Sequence, residues 1–299
     1  MNSSNINENI PCHHLQPDDG IRPTTEQTHE VTDIRKINWN LVCREARKQR
    51  SHPNGNSSYW DSRAQGFAKN SSRSDYADKF LRMINVRPHW TVLDVGSAAG
   101  TLAIPLAERV KSITALDISN NMLQLLRERC AKLGISTIHT VSGAWEDDWN
   151  ALGIEKHDVA ISSRSLITDD YESALTKLHH SARKRVYLST IVGDGPHDRR
   201  IFEALGRILQ PGPDYIYIYN LLYQMGIHAN VNFINCLERN AYESLDEALT
   251  TIGLKLGDLT PTEEKVLQSH LEKYLVRHDG KWEMSYRRQV KWAVLWWDI

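Results

Sequence analysis

Residues 91–118 read TVLDVGSAAGTLAIPLAERVKSITALDI. Thr91–Val95 is short and rich in β-branched side chains, as a buried strand would be. It runs into five small residues, Gly96-Ser97-Ala98-Ala99-Gly100. Thr101–Val110 then carries its apolar residues on one side, like a helix, and Ser112–Ile118 is strand-like again. Small residues let a backbone approach a ligand closely, and the first turn of a helix offers N–H groups without partners. Pro105 falls early in the expected helix, where missing N–H groups cost little.

The alternation continues outward. Asn120–Leu133 is expected to be a helix with Met122, Leu123, Leu126 and Cys130 on one side, capped by Ser119 and ended by Gly134. Thr137–Val141, Asp158–Ser162 and Arg185–Val192 read as strands three to five, with Tyr171–Ala182 helical before the last. Short apolar strands separated by amphipathic helices predict a parallel α/β sheet covered on both faces. Upstream, Asp33–Arg50 reads as one helix, His52–Asn56 as a turn, and residues 57–70 and 75–84 as two further helices closed by Pro88. Downstream, Arg199–Leu209, Tyr215–Gly226, Leu245–Ile252 and Thr262–Leu275 are helical in pattern, and Ala229–Cys236 alternates like a strand. Asp279-Gly280 is a hairpin signal, read here as joining Tyr274–His278 to the closing strand Lys291–Trp297. That makes seven strands, with an antiparallel one added at the end of the sheet.

Residues 1–32 hold no Phe, Trp or Tyr but carry Pro11, Pro17 and Pro23, so a flexible tail is expected. Its Cys12-His13-His14 triplet reads as solvated, and no metal site is expected. The 299 residues carry 36 Lys+Arg against 37 Asp+Glu, a net charge of -1 that argues against a large nucleic-acid footprint. Hydrophobic residues at 40% and charged residues at 24% are ordinary for a globular protein. No run of 18 apolar residues occurs, so no membrane helix is expected, and the N-terminus lacks a secretory pattern. The four cysteines are scattered and form no CxxC, which predicts reduced thiols and a cytoplasmic location.

Three nucleotide-binding patterns compete for the small-residue loop. A phosphate loop needs a Lys after its last Gly, and none follows Gly100. The dinucleotide fingerprint needs Gly at 96, 98 and 101, where the chain has Gly96, Ala98 and Thr101. Asp117, 21 residues after Gly96, is an acid placed to accept both ribose hydroxyls of a nucleoside; helix capping is the other use for it, but Ser119 is better placed for that. The remaining pattern, D-x-G-x-x-x-G from Asp94 to Gly100, resembles the glycine loop of class I S-adenosylmethionine-dependent methyltransferases. The resemblance is continuous from Thr91 to Leu133 and weaker as far as Val192.

That resemblance implies a Rossmann-like, doubly wound, seven-stranded and mostly parallel sheet with S-adenosyl-L-methionine as cofactor. It implies that Asp94, Gly96, Ser97, Ala98 and Gly100 surround the amino-acid moiety, that Asp117 binds the ribose, and that Ile118 and Met122 pack on the adenine. The family usually has Gly-Asp after strand three; here Gly143-Ala144-Trp145-Glu146 stands, so Glu146 or the backbone of Ala144 and Trp145 takes that contact. Ser162 ends the fourth strand beside the cofactor site. Residues 59–68, YWDSRAQGFA, are similar to the lid of such enzymes, with Tyr59 and Trp60 as the covering aromatics or as core anchors. The implied organisation is a tail at 1–32 and a methyltransferase domain at 33–299. Within that domain, 33–88 is the helical lid, 89–192 the cofactor-binding core, and 193–299 the substrate side.

Methyl transfer needs alignment and exclusion of water more than a dedicated catalyst, so no catalytic residue is assigned. In open α/β sheets the ligand crevice lies beyond the carboxyl ends of the strands. Arg164 after strand four could clamp a carboxylate or phosphate, and His197 or Asp198 after strand five could take a proton; each also reads as a loop or capping residue. Tyr223 could wall an acceptor pocket, while Tyr215, Tyr217 and Tyr219 read as packing. No N/D/S-P-P-Y/F and no Pro-Cys follows strand four, which disfavours amine and cytosine-C5 methylation of nucleic acid. The basic runs Arg44–Arg50 and Arg183–Arg185 read as solvated faces. The expected acceptor is a small molecule, with neither nucleic acid nor membrane as partner. A macromolecular acceptor reached through the basic helix, or a non-catalytic cofactor-binding module, are the alternatives. Oligomeric state is left open.

Overall fold

The computed structural model describes residues 33–50, 56–71, 75–238 and 240–299. The tail, its Cys12-His13-His14 triplet and the turn at 52–55 lie outside the described residues. The chain divides into two compact units, 1–37 and 38–299. In the first, a 3-10 turn at Ile34–Lys36 is held by Asp33, whose carboxylate accepts from the Arg35 N–H at 3.1 Å and pairs with its guanidinium. The single helix expected over 33–50 is therefore broken. Asn38 starts α1 (Trp39–Lys48) afresh by accepting from the Leu41 N–H at 2.9 Å.

In the second unit α2 (Ser57–Ser71) and α3 (Tyr76–Met83) lead into β1 (Thr91–Val95), α4 (Ala103–Leu106), β2 (Ser112–Asp117), α5 (Asn120–Leu133) and β3 (Ile138–Ser142). Then come β4 (His157–Ser163), α6 (Tyr171–His180), β5 (Ala182–Ile191), α7 (Arg199–Ala204), α8 (Tyr215–Gln224) and β6 (Asn230–Glu238). The chain closes with β7 (Ala241–Tyr242), α9 (Leu245–Leu256), α10 (Pro261–Tyr274), β8 (Leu275–His278), β9 (Lys281–Met284) and β10 (Arg288–Asp298). Two elements are shorter than their pattern suggested. α4 is one turn, because the Arg109 N–H returns to the Leu106 carbonyl and tightens the chain toward β2. α7 stops at Ala204, because left-handed Gly206 lets the Arg207 N–H reach back to the Phe202 carbonyl.

The seven-stranded sheet has the order β3-β2-β1-β4-β5-β10-β6, and β1 to β5 are parallel. β10 is antiparallel to both neighbours, β5 and β6. The closing strand is thus inserted inside the sheet, not added at its end. Its composition explains the place: Ala293, Val294 and Leu295 are fully buried, whereas β6 exposes Val231 and Phe233 and makes the edge. Alternation along the strands divides two cores. Leu93, Ala160, Val186, Leu188 and Leu295 face α1, α6 and α8, while Val92, Ile161, Tyr187 and Val294 face Tyr76 and Phe80 of α3 and Leu106 of α4.

The hairpin at Asp279-Gly280 is real, with both residues left-handed at φ 48° and 79°, but it joins β8 to β9 and not to the closing strand. β8 and β9 form a separate three-stranded sheet with β7, closed by a third core from α7, α9 and α10 that includes Phe202, Ile252, Leu267 and Leu271. No helix among the described residues is long and apolar enough to cross a membrane.

Candidate functional site

The loop after β1 is left-handed at three positions, Gly96 (φ 71°), Ala98 (φ 48°) and Gly100 (φ 82°). It is held from below: the N–H groups of Gly96 and Ser97 both donate to the Leu116 carbonyl, at 2.7 and 3.0 Å, and Gly100 donates to Ser97. Gly96 is required for space as well as for φ. A methyl there would lie 2.2 Å from Ser165 Cβ, and the Ser165 hydroxyl donates to the Val95 carbonyl at 2.5 Å and meets Ser162 Oγ at 2.9 Å. Ala98 tolerates its strained backbone because its N–H donates to Asp117 Oδ2 at 2.7 Å.

Three polar atoms of this segment, Asp94 Oδ2, Ser97 Oγ and Thr101 Oγ1, are buried with no hydrogen-bond partner. Such atoms are rare and costly in a folded chain, so their clustering around one loop marks a place where a ligand's donors and acceptors would fit. Asp94 is 2% exposed, and burial, reinforced by the Asp117 charge, pushes its pKa up to about 7. Asp117 is also buried and raised by burial, against hydrogen bonds from the N–H groups of Ser119 and Ala98 that favour its charged form. Those bonds leave lone pairs on both oxygens for a ligand. Ile118 beside it is partly exposed.

Over this loop lies α2. Asp61 Oδ1 accepts from Ser119 Oγ at 2.6 Å and from the Asn121 N–H at 3.0 Å, while Ser119 caps α5 through Met122 N–H. Trp60 and Ala64 pack against Ala98, Ala99 and Met122, so Met122 is buried under α2. Tyr59 stands edge-on to Trp60 at 5.1 Å, with the Arg63 guanidinium 3.6 Å over its ring. Asp61 was not picked out from the sequence. It lies in the lid segment, but an acid on a helix shows no partner until α2 meets α5.

After β3, the Ala144 N–H donates to Asp147 Oδ2 at 2.8 Å, and Glu146 accepts from Thr168 Oγ1 at 3.0 Å. The acid folded onto the Ala144 backbone is therefore Asp147. Trp145 Nε1 donates to the Ser165 carbonyl at 2.8 Å, which ties this loop to the end of β4. There Ser163 Oγ meets the Tyr76 hydroxyl at 2.8 Å, and Arg164 adopts a left-handed φ of 59° with its guanidinium 3.9 Å over the Tyr76 ring.

Other predicted positions fall elsewhere. Asp198 caps α7 through the Arg200 N–H and accepts from the Tyr286 hydroxyl at 2.8 Å. His197 is buried against Phe202 and lines a small cleft with Tyr242, Ile252, Met284 and Arg288. Tyr223 is 52% exposed, with its ring against His228. The basic helix is not a simple solvated face: Arg47 is 8% exposed and pairs with Asp169 at 2.9 Å. No group of His, Cys, Asp and Glu that could hold a metal occurs among the described residues.

Residues 92–185, which span this loop and the strands around it, match the model of a methyltransferase-domain family. An uncharacterized protein of Haemophilus influenzae is 35% identical over 246 residues, covering 80% of this chain and 88% of that one. Two solved structures share the fold at 13% identity, each covering 74% of this chain and 97% of the other. They are the YcgJ protein of Bacillus subtilis (TM-score 0.53) and a candidate methyltransferase of Bacillus halodurans (TM-score 0.52). With the sheet order, the left-handed loop and the acid ending β2, these matches lead to one assignment: residues 92–185 are a class I S-adenosylmethionine-dependent methyltransferase domain, set in a Rossmann-like methyltransferase fold.

Proposed function

We propose that the chain transfers a methyl group to a small-molecule acceptor from a cofactor held in the Asp94–Thr101 loop. The observation that carries the site is the cluster of unpartnered buried atoms on Asp94, Ser97 and Thr101 around the left-handed Gly96–Gly100 turn. When bound, S-adenosylmethionine supplies a methyl already activated by its sulfonium charge. Asp94, Ser97 and Thr101 hold the amino-acid end through their unpartnered side-chain oxygens, and Asp117 accepts the ribose hydroxyls with its remaining lone pairs. Ile118, Met122 and the Ala144–Glu146 segment border the base, and Ser162 supports the loop through Ser165. α2, latched by Asp61 and packed through Trp60, closes the site to water.

A small acceptor is supported by the net charge of -1 and by the inward use of Arg47, and the exposed Arg44 and Lys48 of the basic helix both stand beside Glu45. The buried thiols Cys43, Cys130 and Cys236 are unpaired, which suits a reducing, cytoplasmic setting. The test is transfer of labelled methyl from S-adenosylmethionine into fractionated cell extract, with calorimetry of S-adenosylhomocysteine. Label in low-mass metabolites is expected. Label in RNA or protein would overturn the acceptor assignment, and tighter binding of NADH than of S-adenosylhomocysteine would overturn the cofactor site.

A further inference from the structure

Arg164 stands one residue beyond β4, at the carboxyl end of the sheet where ligands of open α/β folds bind. Its left-handed φ of 59° is one that a side-chain-bearing residue rarely adopts, and such backbone strain concentrates at functional sites. Its guanidinium lies 3.9 Å from the centre of the Tyr76 ring and 5.3 Å from that of Trp292. Its backbone N–H donates to the Ser189 carbonyl, but among the described residues the guanidinium meets no carboxylate and makes no hydrogen bond. The other groups facing it are neutral: the Tyr76 phenol, bonded to Ser163 and Ser189, and the Cys236 thiol, whose pKa burial pushes up to about 11. Asp75, the acid whose charge reaches Cys236, is paired with Lys79 at 2.6 Å.

A guanidinium carries its donors in its own plane, and its contacts with the two ring faces give those N–H groups no oxygen acceptor. Arg164 is half-buried and its nitrogens still reach solvent, so its fork of donors is open to an anion that enters from the crevice. We propose that Arg164 is the anchor for a carboxylate on the methyl acceptor, which makes the acceptor class small organic acids. One guanidinium among neutral groups matches a single negative charge; a phosphate dianion would call for further cations, and Lys79 is already engaged. This inference rests on the methyltransferase reading for the identity of the ligand as acceptor, but the anion site itself can be measured separately.

Benzoate is the probe, followed by tryptophan fluorescence on the apo protein because Trp292 flanks the guanidinium, with inorganic phosphate in a parallel arm. Arg164→Met should weaken benzoate by about 10- to 150-fold, as expected for losing a charge-assisted pair. Arg164→Lys, which keeps the charge but not the fork, should fall between. S-adenosylhomocysteine affinity should stay within about twofold of wild type in both variants, since neither touches the Asp94–Thr101 loop. In labelled extract, wild-type products should be retained on an anion exchanger and should disappear with Arg164→Met. Equal benzoate binding by wild type and Arg164→Met, or labelled products that are uncharged, would overturn the proposal and leave the methyltransferase reading standing. Phosphate binding in preference to benzoate would overturn the carboxylate assignment. Failure of wild type to bind S-adenosylhomocysteine would instead count against the cofactor site, with the benzoate result still deciding Arg164.

Discussion

Replacing Asp94 by Asn removes a titration that the fold itself creates. Burial, helped by the Asp117 charge, holds the Asp94 pKa at about 7, against an ordinary value of 3.8. Between these two values the native chain keeps a proton that the unfolded chain has released. The stability linked to this group is therefore complete below about pH 4 and is lost as pH rises toward about 7. At about 1.4 kcal/mol per pH unit, the interval corresponds to roughly 4 kcal/mol. Asp94→Asn keeps the shape and abolishes the proton exchange. In urea denaturation of the apo protein from about pH 4 to about pH 8, the variant should gain on wild type as pH rises, by roughly that amount across the range. A difference between the two proteins that does not change with pH would show that Asp94 is ionised throughout, and the argument from its burial would fail. If the ionised form meets the amino group of the cofactor, S-adenosylhomocysteine should release a proton on binding near pH 6, seen in calorimetry as a dependence on buffer ionisation heat.

Asp117→Ala should weaken S-adenosylhomocysteine by about 10- to 150-fold, the equivalent of a charge-assisted hydrogen bond of roughly 1.5–3 kcal/mol; an unchanged dissociation constant would remove Asp117 from the site. Gly96→Ala forces a left-handed alanine against Ser165 at 2.2 Å and disturbs the Ser165 bond to Val95, for a loss of roughly 2–4 kcal/mol. A thermal scan should show a drop of roughly 5–15 °C. Gly66→Ala is the control: nothing lies within 4 Å of the added methyl in α2, so it should be neutral or stabilising by about 0.5–1 kcal/mol. Asp61→Ala removes the latch on Ser119 and Asn121, so limited proteolysis should cut within α2 sooner and S-adenosylhomocysteine should bind more weakly. Cleavage at the wild-type rate would count against α2 as a lid.

The sequence by itself determined whatever is decided within a few residues of chain. The Ser119 cap on Met122 and the left-handed end of α5 at Gly134 are set by bonds spanning three to five positions, and the β1–loop–β2 unit by one strand pairing between residues about twenty positions apart that its pattern already announces. Asp94 and Asp117 were recognisable because the spacing of strand and loop puts them at the crevice. Contacts distant in sequence were not legible. Asp279-Gly280 announces a hairpin, but whether the returning strand is 281–284 or 291–297 depends on which run can be buried on both faces, and β10 is the one that fits between β5 and β6. Arg47 looked solvated until α1 met Asp169, and Asp61 had no partner until α2 crossed α5. The unmet donors of Arg164 exist only because Tyr76, Trp292 and Cys236, drawn from three separate elements, surround it without supplying a carboxylate. Hydrogen bonds along the chain write their pattern into the sequence, whereas burial and charge pairing between distant segments are fixed only when the two cores close around the sheet.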